Sequence, residues 1–109
     1  MATTYKVLGQ SAPAATTETD LYTVPGATEA VASSVIVCNR SASADSFRIS
    51  VAVTGGATAN KDYIYYDVAI GGNDTFIATI GITLEATDVV RCYSTNGTLS
   101  FGLYGSEIA

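Results

Sequence analysis

Alternation with a period of two runs along this chain almost from end to end, and it is clearest in the last quarter, ITLEATDVVRCYSTNGTLSFGLYGSEIA. Two alternating apolar runs there flank Asn96-Gly97, a dipeptide suited to the positive φ angles of a two-residue turn. The pair reads as a closing β-hairpin. Successive side chains on a strand point to opposite faces, so runs of this kind are built to be covered on one side. No segment shows the 3.6-residue recurrence that an amphipathic helix needs.

The same grammar organises the rest. Thr4 to Leu8 is a short β-prone run, and GQSAPAATTET after it has small and hydroxylated residues but too few apolar ones for a core strand. Residues 9–19 are therefore expected as an extended arm or loop of the single domain spanning 1–109. Leu21 and Thr23 alternate with Tyr22 and Val24 until Pro25-Gly26 turns the chain. Val31 to Asn39, rich in β-branched residues, predicts a strand buried on both faces. Phe47, Ile49, Val51 and Val53 share one face of the next run, against Arg48, Ser50 and Ala52. Ile64, Tyr66, Val68 and Ile70 alternate with Tyr63, Tyr65, Asp67 and Ala69. Beyond Gly71-Gly72-Asn73-Asp74, Phe76, Ala78 and Ile80 align, then Val90 with Cys92, then Leu99 with Phe101 and Leu103. Seven or eight antiparallel strands without helices predict an all-β protein, a single β-sandwich of jelly-roll or immunoglobulin-like topology.

The residue inventory argues against chemistry. The chain has no His, which removes the commonest general base and metal ligand, and no GxSxG or CxxC motif. Its paired glycines, Gly55-Gly56 and Gly71-Gly72, open no helix and precede no Lys-Ser/Thr, so they read as turn glycines and not as phosphate loops. Most of the carboxylates sit at turns, where Asp bonds its own backbone. The expectation is no enzyme, no cofactor and no metal. A net charge of -5, with Lys6, Arg40, Arg48, Lys61 and Arg91 scattered singly, offers no basic stripe to nucleic acid. No run reaches the roughly 20 apolar residues of a membrane span, and Met1 opens no leader pattern, so synthesis in the cytoplasm without a signal peptide is expected.

Two features invite contact with something else. Only 14% of residues are charged against 48% hydrophobic, an excess that other subunits would cover. Tyr63, Tyr65 and Tyr66 crowd one strand, with Tyr63 and Tyr65 expected together on the face opposite Ile64. They serve as a cover for the core edge, as a subunit contact, or as a platform for a sugar ring. Cys38 and Cys92 fall on separate strands. With nothing pointing to an oxidising compartment they read as buried free thiols, a disulfide being the alternative.

TTYKVLGQSAPA followed by TDLYTVPGAT, the central VIVCNRSASADSFRISV, NKDYIYYD, and the closing TLEATDVVRCYS with LSFGLYGSEI together resemble a family of small proteins encoded among the virion structural genes of tailed bacteriophages. The resemblance covers nearly the whole chain. It implies a particle component without enzymatic activity, located in the virion. Joined to the low charge and the arm, it implies an accessory subunit that coats or reinforces the neck, collar and tail region or decorates the capsid. Its expected partners are two further copies of itself, as a homotrimer, and other virion proteins, and cysteine bridges could then form in the released particle. The alternative is a carbohydrate-binding, receptor-recognition domain of a tail fibre or baseplate, touching host-surface glycan through the tyrosine strand and the GGND loop.

Overall fold

A computed structural model describes residues 2–109. Eight strands follow one another: β1 (Thr3–Ser11), β2 (Thr19–Thr23), β3 (Glu29–Asn39), β4 (Asp45–Ala52), β5 (Tyr63–Ile70), β6 (Thr75–Leu84), β7 (Val89–Ser94) and β8 (Leu99–Ile108). Two single 3₁₀ turns, Val53–Gly55 and Asn60–Asp62, interrupt the β4–β5 connection, and no α-helix forms among the described residues. The strands make two antiparallel sheets, A in the order β1-β8-β3-β6 and B in the order β2-β7-β4-β5, packed face to face as a β-sandwich. The ladders β1–β8, β2–β7, β3–β6 and β4–β5 are nested one inside another, as in a long double strand folded over on itself. That is jelly-roll order, and it decides between the two topologies the periodicity left open.

The same order corrects the reading of Asn96-Gly97. β7 lies in sheet B and β8 in sheet A, so the two runs never pair, and the turn between them is an arch from one sheet to the other. Gly97 does take a positive φ, 74°, but its neighbour across the arch is Ala15, whose backbone N would lie 2.8 Å from an added Cβ. The connection after Pro25-Gly26 and the one through Gly71–Asp74 also cross between sheets; β4–β5 is the one consecutive pair that forms a hairpin.

Inward phases follow the sequence well. Phe76, Ala78 and Ile80 pack on the core, and Val90, Cys92, Leu99, Phe101 and Leu103 are buried in it. At the centre Phe47 meets Phe76, Tyr65 and Phe101 at ring-centroid distances of 5.1, 6.0 and 6.1 Å, tilted or edge-on as aromatic quadrupoles prefer.

Three expectations change. β3 is buried on one face only: Ala30, Ala32, Val35, Val37 and Asn39 point in, whereas Ser34, Ile36 and Cys38 are half-buried outside and a bulge at Ser33 resets the phase. The first three residues of the supposed arm are strand, since Gly9, Gln10 and Ser11 extend β1, and Thr19 already opens β2. Residues 12–18 form the β1–β2 connection, pinned by Thr16 N–H donating to Ser94 O at 2.9 Å, with Pro13 buried. Val53 leaves β4 for the first 3₁₀ turn and is exposed.

On the outer side of sheet B the 53–62 connection folds back, which buries Ser50, Ala52 and Val89 there. Arg91 fastens it, Nη1 donating to Gly56 O at 2.7 Å and Thr58 Oγ1 at 2.9 Å, Nη2 to Gly55 O at 3.2 Å, and Nε to Asp20 at 3.0 Å. Beneath it the Ser50 hydroxyl finds no hydrogen-bond partner among the described residues. An unpaired buried hydroxyl costs about 1 to 3 kcal/mol. Ser50→Ala should therefore stabilise the protein, raising the urea midpoint at unchanged m-value; a lowered midpoint would show that the hydroxyl has a partner.

Candidate functional site

The tyrosine strand does not keep strict alternation. β5 pairs with β4 as Ser50↔Tyr63, Ile49↔Tyr65 and Phe47↔Val68, skipping residues twice, and Asp67 at the second irregularity has φ 51°. Tyr63 and Tyr65 consequently point to opposite sides. Tyr65 turns inward against Phe47 and Phe76, while Tyr63 meets Tyr66 edge-on outside at 4.8 Å. The expected Tyr63/Tyr65 face is replaced by a row that sequence reasoning missed. Arg48 stands between Tyr66 and Tyr93, its guanidinium carbon 4.3 and 4.4 Å from the two ring centroids, and Asp67 holds it by Nε–Oδ1 at 2.7 Å and Nη2–Oδ2 at 3.4 Å. Such stacking is worth about 0.5 to 1 kcal/mol per ring at exposed sites. It also consumes the inner faces of Tyr66 and Tyr93, which a sugar would otherwise stack on.

Sheet A presents the opposite chemistry. Alternation from its buried residues puts Tyr5, Val7, Ile36, Cys38, Ile77 and Tyr104 on the outer face among Thr, Ser, Gln and Gly. Tyr5 is 85% exposed, Ile77 67% and Val7 48%. Lys6 and Glu107, the charged residues of β1 and β8, have the inward phase and pair with each other at 3.1 Å, with the Tyr22 hydroxyl also donating to Glu107. Among the described residues, the one charged side chain of the strands of sheet A with the outward phase is Glu29, at the rim. A shallow open depression of about 370 Å³ lies between the end of β1 and β8, lined by Gln10, Ser11, Ala12, Ser100 and Phe101. The sequence did carry a sign of this face: Ile77 and Tyr5 are large apolar residues on the phase opposite the core in TFIATI and TTYKV.

The two thiols are unbridged and on opposite sides of the layers. Cys38 faces out from sheet A. Cys92 lies in the core, where burial pushes its thiol up to about 12, too high for thiolate chemistry near neutrality.

At the arch end, Asp45 is the hub. It accepts from Ser94 Oγ at 2.8 Å, Ser46 N–H at 2.7 Å, Asn96 N–H at 2.9 Å, and Thr98 through Oγ1 at 2.8 Å and N–H at 3.4 Å. Burial alone would raise its pKa, but the hydrogen bonds from Ser94, Ser46, Thr98 and Asn96 together bring it below the usual carboxylate range. The Ala59 N–H and then Lys61 do the same for Asp62, and the Tyr22 hydroxyl, with help from Lys6, for Glu107. Groups depressed in the fold stabilise it above their unfolded value, about 4, and that contribution vanishes as pH falls through the folded values. The urea midpoint should therefore hold from pH 7 to about 5 and fall below pH 4; a midpoint unchanged at pH 3 would refute the coupling.

No group of three or more Cys, Asp or Glu side chains is placed to hold a metal ion among the described residues. Comparison with protein-family models, with curated proteins and with solved structures returns no match.

Proposed function

We propose that the protein is a non-enzymatic structural subunit of a tailed-bacteriophage virion, an accessory module that coats or reinforces the neck, collar and tail region or decorates the capsid as a symmetric homo-oligomer. The observation that carries this reading is the division of charge between the two outer faces. Sheet B carries ion pairs and stacked Arg48, a surface at ease in water, whereas sheet A offers an apolar face whose charge is confined to its rim. Exposed apolar side chains mark an interaction surface where they form a contiguous patch. The jelly roll, which recurs in capsid and lectin domains, supports it by analogy only.

The glycan-binding alternative has less to stand on, because Tyr65 is in the core and Arg48 occupies the rings beside it. Peptide mass spectrometry on gradient-purified particles of the phage that encodes the chain tests the proposal. Recovery of the chain in fixed proportion to the major capsid protein is expected; its absence from infectious particles would refute it.

A further inference from the structure

We infer that the outer face of sheet A binds a second copy of this chain, sheet against sheet, about a two-fold axis parallel to the strands. This rests on the homo-oligomer part of the reading above and adds its geometry.

Three observations select a second copy. First, charge: the chain carries -5 overall, yet this face brings only the rim residue Glu29 to a contact, so two copies meet here without facing charge against charge. A partner chosen by charge would have nothing to read in the centre of the face. Second, area: four strands about 4.8 Å apart and some nine residues long present on the order of 600 Å² in projection. Side-chain relief raises the accessible area toward the roughly 800 Å² per partner of a standard interface.

Third, shape. Gln10, Gly102, Ile36 and Ile77 form one row across β1, β8, β3 and β6. The protruding Ile77 stands at one end of this row, and the depression beside Gln10 and Ser100 at the other. Gly102 lies between Gln10 and Ile36 and is covered by the Tyr104 ring, whose hydroxyl would stand 2.5 Å from an added Cβ. A two-fold axis along the strands, midway between β8 and β3, keeps the row at one height and lays β6 of each copy over β1 of the other. Each Ile77 then enters its partner's depression. The contact is isologous, so every feature is used twice, and the modest angle between aligned packed sheets keeps the row in register. It makes the number of copies even, in place of the three expected from the sequence.

The test is solution mass by light scattering. Wild type should be an even-numbered oligomer. Ile77→Arg, at an exposed position, should halve its mass or reduce it to monomer with an unchanged far-UV circular dichroism spectrum. Adding Gln10→Glu should restore the mass by placing a carboxylate opposite each new guanidinium. A wild-type monomer or trimer, or an Ile77→Arg protein of wild-type mass, overturns the inference. A readout without substitution is the Cys38 thiol, which should react with an aromatic disulfide reagent when the protein is dilute and become protected as copies associate; reactivity that ignores concentration in the oligomer overturns it equally. Whether purified particles contain the chain is a separate measurement, so the interface can fail while the virion reading stands, and the reverse.

Discussion

An Asp45→Ala variant is expected to lose about 3 to 4 kcal/mol of stability, a large share of the 5 to 15 kcal/mol typical of a domain. Asp45 is 5% exposed and every partner its carboxylate has is a donor: the Ser94 and Thr98 hydroxyls and the N–H groups of Ser46, Asn96 and Thr98. Removing it strands several donors together where water enters poorly, the costly way to lose hydrogen bonds. The damage should be local in structure and global in energy, since these partners are the arch between β7 and β8 and the start of β4. Asp45→Asn should lose about half as much, because an amide oxygen can keep the Ser46 and Asn96 N–H groups while its NH₂ turns to the hydroxyls. Urea denaturation of the three proteins decides it. Equal stability of Asp45→Ala and wild type would mean that the loops hold the arch without this carboxylate.

Gly105→Ala should cost about 3 kcal/mol or more, for a reason unrelated to glycine's flexibility. β8 and β3 approach so closely there that an added Cβ would lie 1.9 Å from Val31 O and 3.0 Å from Ala32 Cα, both main-chain atoms with no rotamer to escape into. One methyl group therefore pushes apart two central strands of sheet A next to the Ser33 bulge. Gly26→Ala is the control: nothing lies within 4 Å of its Cβ position, and the change should stay within about 0.5 kcal/mol. If both variants unfold at the same urea concentration, the close approach of β3 and β8 is not what requires glycine.

Which side faces the core was legible for β4, β6, β7 and β8, because burial there repeats every second position and composition repeats with it. Phe76, Val90, Leu99 and their neighbours all lie where alternation places them. Which sheet each strand joins was not legible. Asn96-Gly97 has the composition of a hairpin turn, but Ser94, Thr98 and distant Asp45 turn it into an arch, and a local pattern cannot report a partner some 50 residues away. The tyrosines failed for a related reason. Asp tolerates positive φ better than most residues and its presence marks nothing unusual, so the irregularity at Asp67 was invisible and with it the exchange of Tyr65 for Tyr66 on the outer side. Arg48 lay on the correct phase opposite Phe47, yet its sandwich needs Tyr93 from β7, and pairing between β4 and β7 is a tertiary fact.

The nesting of the ladders has a consequence in time. Of the seven connections between consecutive strands, six carry the chain from one sheet to the other, so β4 and β5 alone can zip together as soon as they are made. Every other ladder joins segments far apart in the chain, and contact patterns of that kind fold on a scale of milliseconds to seconds. β1 and β8, the two ends, have the longest loop to close and should dock last, held at their tips by the reciprocal bonds between Ala2 and Ala109. Tyr5 and Val7 ride on β1, so the outer face of sheet A is complete only in the finished molecule, and a half-folded chain presents only part of it.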